Sequence, residues 1–226
     1  MNARTREVLA DLDHLADPSR RPGMARVGIN VDRALGVPIP DLRRLARRHH
    51  PDHPLALELW RTGIHEARIL ASMVDDSAQI TPEQMEAWVV GFDSWDLCDQ
   101  VCGNLFQAVP TGVKIARAWT RRPEEFVKRA GFVLMAEHAV HGRTLPDGVF
   151  TSWFPAIRRG ATDERNCVKK AVSWALRSIG KRNLALNAAA IGEAEALLVS
   201  KTRSARWIGR DVLTLAEHQR RLRAKT

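Results

Sequence analysis

The chain has 226 residues, of which 45% are hydrophobic and 27% charged, a composition typical of a globular protein that buries a core. No stretch approaches the roughly 18 apolar residues that a membrane-spanning helix needs, and the charged N-terminal residues are not expected to form a signal peptide. Three cysteines without CxxC spacing predict reduced thiols in a cytoplasmic protein. The composition thus argues against membrane, disulfide-rich secreted and disordered proteins.

The positive charge is concentrated towards the C-terminal end of the sequence. The net charge is +9, from 35 Lys and Arg against 26 Asp and Glu. Residues 156–226 contain 16 Lys and Arg against 6 Asp and Glu, a net charge of +10, whereas residues 1–155 have 19 against 20. Such segregation is expected of a surface that binds a polyanion such as a nucleic acid. Surface charge that serves only solubility is the alternative explanation.

The predicted secondary structure is helical from the first residues onward. Apolar stripes at helical spacing lie at Val8, Leu9, Leu12 and Leu15, at Leu42 and Leu45, and within residues 55–60 and 64–73. After the Gly- and Pro-containing break at residues 36–40, Asp41 is expected to begin or cap a helix. Another helix is expected to have Thr81 as its N-cap and Pro82 in its first position. No segment alternates with the period of a strand, so we predict an all-α fold.

Two segments repeat the same pattern 41 residues apart. Residues 126–130 (FVKRA) and 167–171 (CVKKA) each follow an acidic start and lead into a helix, and residues 205–208 (ARWI) are a weaker copy. Helical units of this period are typical of HEAT-like repeats, which stack into a superhelix with one concave face. We therefore predict one domain over residues 1–226, a superhelical stack of HEAT-like repeats with a concave basic face. A solvated basic helix face is the alternative.

Residues 92–99 (FDSWDLCD) form the densest group of functional residue types. In a helix that begins near Ser94, Trp95 and Asp99 are one turn apart, so an indole and a carboxylate share one surface. Asp93 or Ser94 is a plausible N-cap, and Asp96 suits the first turn of the helix. Asp99 is a candidate for stabilising positive charge. Alternatively, Trp95 belongs to the core and Asp99 pairs with an Arg.

Tryptophan is unusually frequent, with seven Trp and no Tyr. Four of them lie among apolar neighbours at helical spacing and are expected to pack in the core: Trp60, Trp88, Trp119 and Trp153. Trp174 lies one turn beyond Lys170 and could share a basic groove, although a core position is the alternative.

No metal or cofactor is expected. Residues 49–53 (HHPDH) lie in a Pro-broken loop without a partner cluster, residues 65–66 (HE) lack the second His of a zincin motif, and residues 137–141 (EHAVH) lack an identifiable third ligand. Walker A, GxGxxG and GxSxG motifs are absent from the sequence. Their absence argues against nucleotide hydrolysis, dinucleotide cofactors and serine hydrolase chemistry.

The order and spacing of several segments resemble the AlkD-type DNA alkylation repair family, the HEAT-like repeat DNA glycosylases. The resemblance runs from about residue 24 to residue 213. It is carried by GVPIPDLR at 36–43, LW at 59–60, HEARILA at 65–71, WDLCD at 95–99, FVKRA at 126–130 and NCVKKAVSWALR at 166–177.

The resemblance implies a set of site residues. Glycosylase-active members combine a Trp and an Asp four residues apart with a second Trp on a later repeat helix, and these positions match Trp95, Asp99 and Trp174. A DNA-contacting Arg of the family matches Arg129. Some relatives lack parts of this set, have no glycosylase activity and bind unusual DNA structures instead.

The implied function is that of a monofunctional glycosylase that excises cationic alkylated purines, such as 3-methyladenine and 7-methylguanine, from duplex DNA. Asp99 would stabilise the oxocarbenium-like sugar, and Trp95 and Trp174 would pack against the deoxyribose, without a base-flipping pocket. Other residues are expected to hold phosphates without reading sequence. They are Lys128, Arg129, Lys169, Lys170, Arg177, Lys181, Arg182, Arg203, Arg206 and Arg210.

Three other functions fit the same sequence. One is a non-catalytic HEAT-repeat protein that binds branched or distorted DNA, and another is a scaffold whose groove binds an acidic peptide. The basic charge is also compatible with an RNA partner. The expected partner remains duplex DNA with alkylated bases, bound by a monomer.

Overall fold

The computed structural model of the protein describes the backbone of residues 1–223 and the side chains of residues 1–214. Within residues 1–223 all regular secondary structure is helical and no strand is present, which confirms the all-α prediction. In this described part no helix is long and apolar enough to cross a membrane. The chain divides into two compact units, Met1–Val109 (unit 1) and Pro110–Thr226 (unit 2). Its organisation as a single domain stays a prediction.

Unit 1 contains the helices that precede the repeated segments. They are α1 (Ala3–His14), α2 (Arg21–Arg26), α3 (Ile39–His49), α4 (His53–Arg61), α5 (His65–Val74), α6 (Pro82–Val89) and α7 (Trp95–Asn104), with short 3₁₀ helices at Pro18–Arg20 and Phe106–Ala108. Thr81 caps α6 as predicted, since its side chain accepts a hydrogen bond from the backbone N–H of Gln84. Helix α3 begins two residues before Asp41, because Pro40 fits the first turn of a helix, where a backbone N–H has no helical partner.

Helix α5 lies at the centre of unit 1, where it packs against α3, α4 and α7. Nearly all of its side chains are buried. Beside it the indoles of Trp60 and Trp88 stack in parallel with their ring centroids 4.2 Å apart, and both are buried as predicted. Helix α5 therefore supports α7 from the interior of unit 1.

A buried carboxylate fixes the turn that precedes α3. Glu66 on α5 is only 1% exposed, and it accepts hydrogen bonds of 2.7 Å from the backbone N–H groups of Leu35 and Gly36. Gly36 has a φ of +84°, and a Cβ at this position would collide with the backbone oxygen of Asp17. Glu66 thus has a structural task, and the turn requires a glycine.

Unit 2 is organised around α12. Its helices are α8 (Gly112–Trp119), α9 (Glu125–His141), α10 (Asp147–Thr151), α11 (Phe154–Gly160), α12 (Asn166–Gly180), α13 (Leu184–Leu198) and α14 (Arg203–Arg223). Helices α9 and α12, which carry the two clear copies of the repeated pattern, pack against each other, and α12 also contacts α11, α13 and α14. Trp119 and Trp153 are buried here, as predicted.

The turn before α3 yields a prediction about stability. We expect Gly36→Ala to destabilise the protein by at least about 3 kcal/mol, because it combines a left-handed backbone with a collision against the Asp17 carbonyl. Gly28→Ala is the matched control, since Gly28 has nearly the same φ, +82°, but open space around it. It should cost only about 1 kcal/mol. Urea unfolding measures both, and equal losses would show that the collision is relieved.

Candidate functional site

Helix α7 carries Trp95 and Asp99 as half-buried side chains on one side of the helix. The helix begins at Trp95, after the extended N-cap residue Ser94. Four of its side chains are buried: Leu97, Cys98, Val101 and Cys102. Trp95 and Asp99, one turn apart, are half-buried and lie on one side of the helix, at the edge of the buried row. The indole and the carboxylate are therefore both accessible to a ligand.

The orientation of Trp95 is fixed by the segment that follows α2. Its indole Nε1–H donates a hydrogen bond of 2.9 Å to the carbonyl oxygen of Val27. Close by, the side-chain amide of Asn30 donates to the carboxylate of Asp93 at 3.0 Å, so the segment is tied to the start of α7. An indole that is held at its nitrogen and partly exposed is a rigid surface for a planar or apolar ligand.

A buried ion pair supports the first turn of α7. The His65 Nε2 atom lies 2.9 Å from Asp96 Oδ2, and the two side chains are 5% and 15% exposed. Burial disfavours the protonated imidazole, but the hydrogen bond to Asp96 and its charge outweigh burial and raise the pKa of His65 above its ordinary 6.5. Burial likewise opposes ionisation of Asp96, yet His65 holds the pKa of that carboxyl below 3.8. The pair anchors the helix that carries Trp95 and Asp99.

The two units differ sharply in charge. Unit 1 contains 12 Lys and Arg against 16 Asp and Glu, a net charge of −4, whereas unit 2 contains 23 against 10, a net charge of +13. Within unit 1, residues 69–109 include seven Asp and Glu and no Lys or Arg. Asp99 belongs to this acidic stretch of the sequence.

The exposed face of α12 combines basic and aromatic side chains. Lys170, Trp174, Arg177 and Lys181 follow one another at spacings of four, three and four residues, which places them on one side of the helix. Lys170 and Lys181 are exposed, and Trp174 and Arg177 are half-buried. We call these four residues the α12 stripe. Trp174 is thus outside the core, and a flat apolar ring lies between positive charges.

A groove adjoins the C-terminal half of the α12 stripe. It has a volume of about 510 Å³ and is lined by Ala139, Val140, Arg143, Trp174, Ser178, Lys181 and Arg182. Arg182 is held in place, since its guanidinium donates to the carbonyl oxygens of Ala139 and Gly142 at 2.7 and 3.1 Å. The groove thus combines the positive charges of Arg143, Lys181 and Arg182 with the apolar ring of Trp174, which suits an anionic backbone beside an apolar group.

The other predicted DNA-binding residues differ in their accessibility. Arg203 and Arg210 are exposed on α14. Lys128 pairs with Asp163 at 3.0 Å, and Arg206 donates to the carbonyl oxygens of Ser200 and Lys201. Arg129 is 5% exposed and donates to the carbonyl oxygen of Cys167, which links α9 to α12. Its role as a DNA contact stays a prediction.

Trp207 on α14 is a surface aromatic residue that the sequence analysis did not assign to a site. Its side chain is 38% exposed, and the ammonium group of Lys169 lies 4.8 Å from the centroid of its ring. A sequence signal for it exists, because KxxxWxxR at residues 170–177 recurs as RxxxWxxR at residues 203–210.

The predicted site residues are divided between the two units. Trp95 and Asp99 belong to unit 1, whereas Trp174 and the ten predicted DNA-binding residues belong to unit 2. The structure places Trp95 with Asp99 on one side of α7 and the α12 stripe on one side of α12, whereas Arg129 is buried between α9 and α12. Among the residues it describes, no group of three or more His, Cys, Asp or Glu could hold a metal ion.

Comparisons with known proteins identify relatives of this chain. The sequence profile of a family described as "DNA alkylation repair enzyme" matches residues 8–214. An uncharacterized protein of Listeria innocua serovar 6a, Lin0241, is 24% identical over 106 residues, which are 46% of this chain and 47% of that protein. The chain thus spans about half the length of this curated relative.

A solved structure shares the fold. It is described as "a new family of proteins related to the HEAT-like repeat DNA glycosylases with affinity for branched DNA structures". The TM-score is 0.78 and the identity 15%, with 92% of this chain and 93% of that chain covered. The likeness confirms the predicted HEAT-like helical fold.

The buried ion pair of unit 1 yields a prediction about pH. Because the pKa of His65 is raised, its contribution to stability is complete below pH 6.5 and is lost as the pH rises through the pKa in the folded state. The contribution of Asp96, whose pKa is lowered, is complete above pH 3.8 and is lost on acidification. We expect the difference in unfolding free energy between wild type and His65→Gln to be largest between these limits and to shrink as the pH rises.

His138 provides a control of opposite sign. Burial lowers the pKa of this imidazole on α9, so its contribution to stability is complete above pH 6.5 and is lost as the pH falls through the lowered pKa of the folded state. Chemical denaturation of wild type, His65→Gln and His138→Gln across pH 4–9 separates the two. A pH-independent difference between wild type and His65→Gln would contradict the ion pair.

Proposed function

The chain belongs to the family of DNA alkylation repair enzymes, and from this premise we propose that it is a monofunctional DNA glycosylase that excises cationic alkylated purines from duplex DNA. The observation that carries the proposal is the position of Trp95 and Asp99, which are half-buried one turn apart on the same side of α7, within an acidic stretch of the sequence. Purines of the 3-methyladenine and 7-methylguanine type are the proposed substrates.

The chemistry of such lesions suits a carboxylate. Alkylation at N3 or N7 places a formal positive charge on the purine and weakens the bond from the base to the sugar. As this bond breaks, its electron pair leaves with the base and the sugar acquires oxocarbenium character. A negative group near the sugar lowers the energy of that state, and water then supplies the new bond to C1′.

Asp99 is the residue that we assign to this task. It would stabilise the positive charge on the sugar and orient the attacking water. Trp95, held by Val27, would pack against the deoxyribose and exclude bulk water, which strengthens the attraction to Asp99. Trp174 is proposed as a second aromatic contact with the sugar, on the basis of the family resemblance and its accessible position on α12.

Unit 2 would supply most of the affinity for DNA. Its net charge of +13 and the exposed cations of α12 and α14 suit the phosphate backbone, and contacts of this kind position the duplex without reading its sequence. Because the lesion activates its own departure, we propose that no base-flipping pocket is needed. Neutral bases such as uracil would then remain in place.

A second function is favoured by one finding. The protein with the shared fold is described as having affinity for branched DNA structures, and the basic surface of unit 2 would serve such a ligand equally well. In that case this chain binds branched DNA and releases no base. DNA binding is common to both functions, so only base release separates them.

The role of Asp99 is tested by Asp99→Asn. We expect release of free base from duplex DNA that carries 7-methylguanine to fall roughly 100-fold, because the amide cannot offset the charge on the sugar. DNA affinity should change little. Single-turnover release and fluorescence anisotropy measure the two quantities.

Asp13→Asn is the matched control, since it removes an equal charge from an exposed position on α1 of the same unit. It should leave both quantities unchanged. Unaltered base release by Asp99→Asn would refute the assignment of this carboxylate. If wild type binds DNA but releases no base, the branched-DNA function is the correct one.

The role of the α12 stripe in holding phosphates is tested by Lys170→Glu and Lys181→Glu. Each variant should bind duplex DNA more weakly, and the slope of log K against log salt should become shallower by about 0.9 for each phosphate that the variant no longer neutralises. Arg6→Glu on α1, an equal charge reversal at an exposed position of unit 1, is the control. An equal reduction of affinity in all three variants would indicate a general effect of net charge instead of a defined surface.

A further inference from the structure

Helix α14 repeats the arrangement of basic and aromatic side chains that α12 displays. Arg203, Trp207 and Arg210 have the same spacing as Lys170, Trp174 and Arg177, and all three are exposed. We call Arg203, Trp207 and Arg210 the α14 stripe. Spacings of four and three residues place them on one side of the helix.

Trp207 differs from the tryptophans of the core. Trp60, Trp88, Trp119 and Trp153 are at most 8% exposed, whereas Trp207 is 38% exposed. An exposed indole among cations combines a flat ring for stacking with charges that suit phosphates, which is typical of surfaces that bind single-stranded nucleic acid. Its neighbours are cations: Lys169 lies above the ring, and Arg203 and Arg210 lie one turn to either side.

The contacts between α12 and α14 place the two stripes side by side. Lys169 lies against Trp207, and one turn further along both helices the Ser173 hydroxyl donates to the carboxylate of Asp211. Both contacts join residues that are 38 positions apart in the sequence, so α12 and α14 run in the same direction. In this register Trp207 on α14 is level with Lys169 on α12. Trp174 lies five residues further along α12, which is about 8 Å along the helix axis at 1.5 Å per residue. The rings thus lie within a few nucleotides of each other along a bound strand.

We infer that Trp207 is a stacking site for an unpaired nucleobase, with Arg203 and Arg210 holding the adjoining phosphates. Base faces inside a duplex are covered by their neighbours, so an indole can stack only on a base that is unpaired or terminal. Surrounding cations favour a nucleic acid strand over an apolar or cationic partner. The site rests on the DNA-binding part of the proposed function, and it gives the protein a reason to prefer DNA with a single-stranded branch.

The test compares an intact duplex with the same duplex carrying a five-nucleotide thymidine flap. Trp207→Ala should weaken binding of the flap DNA roughly tenfold, the usual scale for removal of one stacked base, and binding of the intact duplex less than about twofold. Trp207→Phe should keep most of the flap affinity, because it retains a ring. Leu184→Ala, which truncates a 67% exposed apolar side chain on α13, is the matched control and should change neither affinity.

Each outcome has one meaning. Equal reductions of affinity for both DNAs would show that the indole packs against the duplex backbone, and no reduction for either would show that it touches no DNA. Both results would overturn the stacking site. Base release from intact alkylated duplex, measured in parallel on wild type, reports on the glycosylase independently. If wild type releases no base and Trp207→Ala weakens binding of the flap DNA alone, the glycosylase is refuted and the stacking site is supported.

Discussion

The packing of α12 determines which side chains of unit 2 can reach a ligand. The helix is covered by α9, α11, α13 and α14, so most of its length is buried. Polar bonds fix its rotation: the Ser173 hydroxyl donates to Asp211, and Arg129 donates to the Cys167 carbonyl. Because neither bond survives a rotation of the helix, Trp174 and its basic neighbours are held at the surface. The register of α14, and with it the position of Trp207, follows from the same interactions.

Much of the fold could be predicted because its signals are local. The N-cap at Thr81, the break at residues 36–40 and the repeated patterns that begin α9 and α12 depend on residues close in sequence. The first turn of α3 was placed two residues late because Pro40 was interpreted as part of the break, although a proline fits the start of a helix equally well. Local sequence does not separate these two roles of proline.

The candidate site was less accessible to sequence reasoning, since its details depend on distant contacts. Trp95 and Asp99 were found because one turn of helix separates them. The ion pair of His65 with Asp96 joins residues 31 apart and has no local pattern. Burial of Arg129 follows from the approach of α9 to α12, and FVKRA cannot indicate which of its cations faces inward.

The opposite charges of the two units suit two different tasks. Under the proposed function, the net charge of −4 on unit 1 repels phosphates and the net charge of +13 on unit 2 attracts them, so we expect most of the affinity for DNA from the basic unit. The repulsion is long-ranged and is screened over about 8 Å at physiological salt, whereas the attraction between Asp99 and a cationic sugar acts at short range and is screened much less. In the proposed enzyme, an acidic site would therefore favour cationic lesions only if other residues supplied the affinity for DNA. Extra positive charge near Asp99 would improve binding of every duplex and at the same time weaken the preference for a positively charged base. On this proposal, the absence of Lys and Arg from residues 69–109 and the net charge of +13 on unit 2 would assign selectivity and affinity to different parts of the chain.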